Sequence, residues 1–282
     1  MRVRMPTFDF SGVTGPWAPR APEFAQMFNA NSIIIPHLER FLNRVMARAR
    51  AAIPDDGGRN SQVREDVSTF IKQESCHYTV HGAFNASLAA NGYDCPPELE
   101  QRIIAHYDRL LATKSLPFLV AYCEGFESMV PPIAGGWFDG SMDKIFKGAE
   151  PNAVAMWRWH MVEEFEHRTV CHDALTALGG GYFLRMWGYI YQFVAYQRLT
   201  AAVYSHLLSV QRRGMSAEEI ARSRKNVRRS VKGYFLPIIK SMRTVFSPRY
   251  SPRALAVPPG WSITRDQIEA EWVHAKAAPQ PA

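Results

Sequence analysis

Two short stretches of the sequence place glutamate and histidine side chains at the spacing of one helical face. They are Glu74, His77 and His81 in the first stretch, and His160, Glu164 and His167 in the second. In a helix, residues three, four and seven positions apart lie on one face, so each stretch would present its three donors together. A Glu-x-x-His pair from each of two helices is typical of a dinuclear metal site in a four-helix bundle. The spacing therefore predicts a metal centre.

Such a site also takes one carboxylate from each of two further helices. Glu39 lies in the predicted helix 35–50, and Glu124 lies in the predicted helix 116–129. Glu127 competes with Glu124, because it lies three residues further along on a similar face. His81 is a further ligand, a hydrogen-bonding partner of a ligand, or a proton carrier. The predicted ligands are Glu39, Glu74, His77, Glu124, His160, Glu164 and His167.

The donor types indicate which metals would suit the site. Carboxylates mixed with imidazoles favour iron or manganese, and zinc is also compatible with them. Four glutamates would neutralise much of the charge of two divalent ions, so that the site could be buried. Two redox metals could activate O2, whereas two Lewis-acidic metals could activate a water molecule for hydrolysis. A single Glu-x-x-His is most often a surface pair or a core histidine, but two extended copies inside apolar helices favour a metal site.

The elements that would position these residues are all helical. No alternating strand pattern and no internal repeat is present, so the predicted fold class is all-α. Asn31 and Ser32 would cap the first helix and place Pro36 in its first turn. Residues 131–152 are rich in glycine and resemble a loop. The predicted helices are 31–52, 61–90, a helix from 97 that breaks or kinks at Pro117, 116–129, 151–178, 182–213, 216–245 and 264–276.

These elements predict a single domain. Residues 1–30 would form an N-terminal arm, and residues 31–180 would form the metal-binding four-helix core. Residues 181–245 would add long helices, and residues 246–282 would form an irregular tail with one short helix. The chain has 282 residues, of which 47% are hydrophobic, so it can bury a large core.

The cysteines and the start of the chain bear on location. The cysteines are Cys76, Cys95, Cys123 and Cys171. They are scattered without a Cys-x-x-Cys pair, which indicates a reducing compartment and packing roles. The first residues contain no apolar stretch of signal-peptide length, so we expect a cytoplasmic protein.

The C-terminal third of the sequence contains an aromatic-rich helix and a basic segment, and both bear on binding to a membrane or a partner protein. The helix over 182–210 is rich in aromatic and aliphatic residues, but charged and polar residues interrupt it, so we expect it to be buried on most faces. No acidic residue occurs between Ile220 and Arg265, and basic and apolar residues alternate along 220–245. This segment is either a solvated basic face or a contact for an anionic membrane surface or an acidic carrier protein. No recognition motif for nucleic acid accompanies the charge.

Several motifs resemble those of a family of predicted metal-dependent hydrolases. They are Phe8-Asp9-Phe10-Ser11, the stretch 28–32 leading to Pro36 and Glu39-Arg40-Phe41, the stretch 70–74 with His77, His81 and Phe84-Asn85, and the stretch 157–160 that continues through 163–167 to Val170. The resemblance covers roughly residues 5–210. It departs from the family pattern at Leu38, where glycine is expected, and at Gly125, where histidine is expected. It implies hydrolysis by a metal-activated water.

The order of the ligands is also similar to that of the di-iron arylamine N-oxygenases. That family has an extra histidine ligand four residues before its last Glu-x-x-His, and His160, Glu164 and His167 match this arrangement. The resemblance implies a ferritin-like bundle with a histidine-rich di-iron centre that activates O2.

Three hypotheses follow from the sequence. The first is a di-iron oxygenase or oxidase that uses O2 and an electron donor to oxidise a small apolar or aromatic molecule. The alternative is a metal-dependent hydrolase. The third is a non-catalytic helical bundle that binds lipid or protein through residues 220–245.

Overall fold

Helices make up nearly all of the regular structure of the chain. The computed structural model describes the backbone of residues 1–277 and their side chains, except those of 231, 234, 235, 237–239, 241, 242 and 273–277. The helices are α1 (Pro22–Ala52), α2 (Arg59–Ala90), α3 (Pro97–Thr113), α4 (Leu116–Glu127), α5 (Pro131–Ala134), α6 (Asp143–Phe146), α7 (Pro151–His167), α8 (Val170–Ala177), α9 (Tyr182–Gln211), α10 (Ala217–Val245) and α11 (Trp261–Ala277). No strand occurs within residues 1–277, so the predicted all-α class is confirmed.

The bundle is built around α1. This helix packs against α2, α4 and α9, while α2 also contacts α7 and α8, and α4 contacts α8. The central helices therefore turn their inner faces towards one another, and α9 lies over α1 and α4. This arrangement brings the helices that carry the predicted ligands into one core.

Helix α1 begins at Pro22, so the prediction that it begins near Asn31 and that the arm extends to residue 30 is wrong. Proline is tolerated in a first turn, because its missing N–H would have no helical partner there. Asn31 lies well inside the helix, where its side-chain amide donates to the Met27 carbonyl at 2.8 Å. The two residues that were expected to cap the helix are therefore interior residues, and the arm ends at residue 21.

Pro36 also lies inside α1 rather than in its first turn. There it removes the N–H that would donate to the Ser32 carbonyl. The side-chain amide of Asn85 on α2 donates to that carbonyl instead, at 2.8 Å. The Ser32 hydroxyl in turn donates to Asn85 Oδ1 at 2.7 Å. These two hydrogen bonds satisfy the Ser32 carbonyl that Pro36 leaves without a helical partner, and they connect α1 to α2.

The predicted helix 151–178 is two helices, because α7 ends at His167 and α8 starts at Val170. In a continuous helix the Phe165 carbonyl would accept from the N–H of Thr169. Here the Arg168 guanidinium donates to that carbonyl at 2.5 Å and stacks on the Phe165 ring. The chain turns after His167, and α8 then packs against α2 and α4.

Two segments that were predicted to be irregular contain short helical elements. The stretch 131–152 includes α5, a 3-10 turn at Gly135–Trp137, and α6. Near the C-terminus, α11 begins at Trp261 rather than at Thr264. The indole of Trp261 donates to the Val162 carbonyl at 3.2 Å, so α11 begins against the side of α7.

Helix α9 leaves one stripe of its surface exposed along its length. Phe183, Trp187, Ile190 and Val194 lie on that stripe. Within the described residues, no helix is both long and apolar enough to cross a bilayer. Helix α10 is formed as predicted, but part of its side chains in the segment 220–245 lies outside the described residues. The predicted lipid or carrier-protein contact therefore stays a prediction.

Two glycines let the backbones of α4 and α9 approach closely. A Cβ atom on Gly188 would lie 2.4 Å from the Ala121 carbonyl carbon. A Cβ atom on Gly125 would lie 2.7 Å from Tyr189 Cα. The sequence analysis expects histidine at position 125, but this helix contact leaves no room there for a side chain.

We expect Gly188→Ala to destabilise the protein by about 1–3 kcal/mol, because the added methyl group would force α4 and α9 apart. For a chain of this size the melting temperature should fall by roughly 2–10 °C. Gly82→Ala is the matched control, since Gly82 is an exposed helical glycine with no neighbour within 4 Å. That control should raise stability by about 0.5–1 kcal/mol. Equal melting temperatures for the two variants would contradict the close approach.

Candidate metal centre

Six of the seven predicted ligands converge in the interior of the bundle. Each is at most 2% exposed. Their donor atoms form two overlapping groups, and within each group the atoms lie within 4.8 Å of one another. One group is Glu39, His77, His160 and Glu164, and the other is Glu74, His77, Glu164 and His167. Either group could hold a metal ion.

Glu164 lies between the two groups. Its Oε1 is 3.0 Å from His160 Nε2 and 4.0 Å from His167 Nε2. Across the centre, Glu74 Oε1 is 3.1 Å from His167 Nε2 and 3.6 Å from His77 Nδ1. The ring centroids of His77 and His167 are 6.0 Å apart. The two sequence stretches therefore meet face to face, α2 against α7.

The inward atoms of the centre fit a metal ion, because they lack other partners. Both oxygens of Glu39, Glu74 and Glu164 are buried and face no hydrogen-bond partner outside the cluster, and the same holds for His77 Nδ1 and His167 Nε2. Each unsatisfied buried polar atom costs about 1–3 kcal/mol, and charged groups cost more. A divalent cation would satisfy several of these atoms at once.

The electrostatics of the metal-free centre show the same deficit of positive charge. Burial raises the pKa of Glu39 well above its usual range, and the nearby Glu74 carboxylate adds to the rise. Burial opposes the charged form of His77, but Glu163 and Glu74 outweigh it and raise the pKa of this imidazole. Both directions favour a proton on Glu39 and on His77, which would compensate part of the carboxylate charge. Metal binding would release these protons.

The outer nitrogen of His77 is held by a chain of side chains that begins in the N-terminal arm. His77 Nε2 lies 3.1 Å from Glu163 Oε2, and the buried Arg4 guanidinium donates to Glu163 Oε1 at 3.1 Å. Arg4 also donates to both oxygens of Glu166. Fixing the outer nitrogen fixes the ring that presents Nδ1 to the centre. The sequence analysis missed Arg4, because no helical spacing connects an N-terminal arm to α7.

The structure places Glu127, and not Glu124, beside the centre. Glu127 Oε2 is 3.0 Å from His167 Nδ1, and its other oxygen is buried without a partner. Glu124 belongs to neither donor group, since its Oε1 faces His172 Nδ1 at 3.2 Å and Arg185 Nη1 at 3.9 Å. Two residues that are three positions apart point about 60° apart around a helix axis. The contact with α9 fixes which of the two faces inward.

His81 contacts the outer nitrogen of His160 and lies in neither donor group. Its Nε2 is 3.0 Å from His160 Nδ1, and its Nδ1 is 2.8 Å from the Ser32 hydroxyl. If His160 binds metal through Nε2, its Nδ1–H donates to His81, His81 donates to Ser32, and Ser32 donates to Asn85. Burial and the nearby His160 lower the pKa of His81, so it stays neutral as this chain requires. Of its three predicted roles, the geometry favours the partner of a ligand.

The fold and this site define an all-helical protein with a buried glutamate and histidine cluster suited to metal ions. A family model described as "predicted metal-dependent hydrolase" matches residues 2–255, and the chain belongs to that family. No curated protein and no solved structure matches the chain. The family implies a metal-dependent enzyme. The similarity to di-iron arylamine N-oxygenases and the ferritin-like assignment stay predictions.

We expect metal ions to stabilise the folded protein. Protein stripped with a chelator should melt at a lower temperature than the same protein after addition of Zn2+ or, without oxygen, Fe2+. Ions at a hundred times their dissociation constant would add about 2.7 kcal/mol, because only the folded chain assembles the site. The melting temperature should rise by roughly 5–10 °C.

Magnesium is the control for that measurement, since Mg2+ prefers all-oxygen sites and should have little effect. Scanning calorimetry and elemental analysis of the gel-filtered protein provide the readouts. Identical melting temperatures with and without Zn2+, together with no retained metal, would argue against a metal site.

Proposed function

We propose that the cluster binds two divalent metal ions and that the chain is a metal-dependent hydrolase. The observation that carries this proposal is the pair of overlapping donor groups, which share His77 and Glu164. The charge supports two ions, because the four buried carboxylates in or beside the two donor groups form no ion pair with a described lysine or arginine. These carboxylates are Glu39, Glu74, Glu127 and Glu164. Glu163 is balanced separately by Arg4.

In this proposal Glu39 and His160 would hold one ion, and Glu74 and His167 would hold the other. Glu164 and His77 belong to both donor groups and would complete the two ligand sets. Glu127 takes the place that the sequence analysis gave to Glu124. It either binds the second ion or holds His167 through Nδ1, where the distance is 3.0 Å.

The chemistry follows from the properties of the bound group and of its surroundings. Two Lewis-acidic ions would supply a water molecule of lowered pKa for attack on a carbonyl group. Glu163, Glu127 and His81 orient the three imidazoles, so that the donors do not have to rearrange during the reaction. The family match supports hydrolysis over other uses of the same ligands.

A second candidate function is O2-dependent oxidation by two iron ions, which the sequence analysis placed first. The observation that favours it is the crowding of the ligands, since six side chains, or seven with Glu127, leave few open positions on two ions. A diatomic gas would fit there more readily than a polar ester. This function would also need an external electron donor.

One experiment separates the two functions. Protein loaded with Zn2+ under argon is assayed with 4-nitrophenyl hexanoate, and protein loaded with Fe2+ is assayed for O2 uptake with a reductant. Hydrolysis predicts metal-dependent ester turnover without O2, lost by at least a hundredfold in Glu164→Gln. Oxidation predicts rapid O2 consumption by the iron form and an inert zinc form. Inactivity of both forms towards every ester and reductant tried would contradict both functions.

We expect Glu127→Gln to weaken metal binding by about 10–100-fold, because it removes a carboxylate that contacts His167. Glu124→Gln is the matched control on the same helix and should bind metal as the unmodified protein does. Competition with a zinc-binding dye and elemental analysis would measure both. If Glu124→Gln weakened metal binding and Glu127→Gln did not, Glu124 rather than Glu127 would be the ligand.

A further inference from the structure

A cavity of about 260 Å3 lies beside the metal centre, between α1, α4, α7 and α9. His160 and Trp157, both buried, belong to its inner wall. Gln197 and Ala201 line it where α9 reaches the surface, and Ala201 is exposed. The cavity therefore extends from solvent at α9 to a predicted metal ligand.

The wall of the cavity carries no charged side chain. Its lining, all of it described by the structure, contains no aspartate, glutamate, lysine or arginine. Aromatic pairs stiffen it, with the rings of Phe28 and Trp157 4.9 Å apart and those of Phe126 and Tyr196 5.4 Å apart. A charged ligand would lose its hydration here without gaining a partner, which is costly. The cavity therefore favours a neutral, apolar molecule.

Two polar groups in the wall are left without a hydrogen-bond partner, the indole N–H of Trp157 and the hydroxyl of Thr200. Thr200 is 9% exposed, and its hydroxyl is buried with no hydrogen bond. Other polar groups of the lining are already engaged, since the Tyr196 hydroxyl donates to Asn31 Oδ1 at 2.7 Å and the Asn31 amide donates to the Met27 carbonyl. Buried hydroxyl groups are normally satisfied. The unpaired hydroxyl of Thr200 thus fits a hydrogen bond to a ligand.

We propose that this cavity is the substrate site of the metal centre. It takes a neutral, largely apolar molecule with one hydrogen-bonding group that pairs with Thr200. A cavity of about 150 Å3 holds one benzene ring, so this one suits a molecule of about two fused rings or an equivalent chain. The inference rests on the proposed function, because it requires a reactive centre at His160. Phosphate esters and other anions are excluded from this substrate class.

The test uses 2-naphthol as a fluorescent probe and full-length protein loaded with Co2+ under argon. Saturable binding of 2-naphthol is expected, with 2-naphthoate binding at least tenfold more weakly because it is charged. The visible absorption of bound Co2+ should shift as the probe fills the cavity. This readout reports on contact with the metal centre without any assay of activity.

Two variants connect the binding to the cavity. Ala201→Trp should weaken 2-naphthol binding at least tenfold by filling the opening, whereas Ser205→Trp, one turn away on the exposed stripe of α9, should leave it unchanged. Thr200→Val should weaken binding of 2-naphthol by about 2- to 10-fold and leave naphthalene unaffected. Unaltered melting temperatures of the tryptophan variants would show that the fold is retained.

The outcomes distinguish the cavity from the metal centre. No binding of 2-naphthol, or equal binding by Ala201→Trp, overturns the cavity as a ligand site, while retained Co2+ leaves the proposed function standing. Binding without a change in the Co2+ spectrum overturns the substrate role alone. Failure to bind Co2+ overturns the proposed function and the substrate role with it, even where 2-naphthol binds.

Discussion

The constraint on which the fold depends is the concentration of carboxylates in a dry interior. Helices α1, α2, α4 and α7 each direct glutamate side chains inward, and most of these oxygens have no hydrogen-bond donor outside the cluster. Like charges at this separation in a medium of low dielectric constant repel one another strongly. The bundle can bury them only where protons, imidazoles or cations compensate. The carboxylates destabilise the fold when no cation compensates them, and bound metal ions would remove that destabilisation. Metal binding would therefore be coupled to folding.

Parts of the chain that look peripheral serve this centre. The three imidazoles are held from outside by three different elements: the N-terminal arm through Arg4 and Glu163, the end of α4 through Glu127, and the α1–α2 contact through His81. Even the irregularity at Pro36 contributes, because it frees a carbonyl group that brings Asn85 and Ser32 together. Helix α11 carries Glu269, which pairs with Arg4 from the solvent side. The positions of the three imidazoles therefore depend on several elements of the fold and not on the ligand helices alone.

Ligand types do not separate hydrolysis from oxidation, since the same carboxylates and imidazoles support both. What differs is the metal that is bound and the molecule that can reach it. The family assignment favours hydrolysis. If the cavity beside His160 is the substrate site, as proposed, it would restrict either reaction to neutral and largely apolar substrates. Access and metal identity, rather than the donor set, would thus determine the reaction.

The sequence by itself determined the relations that lie within one helix. The stripes of α2 and α7 follow from helical periodicity, so residue spacing alone groups Glu74 with His77, and His160 with Glu164 and His167. Only the tertiary structure places Glu127 rather than Glu124 beside the cluster. It also places His81 against the outer nitrogen of His160, and Arg4 against Glu163. The physical reason is that periodicity fixes angles between side chains on one helix. The rotation of that helix about its own axis, and the reach of a non-helical arm, are fixed by packing against other elements.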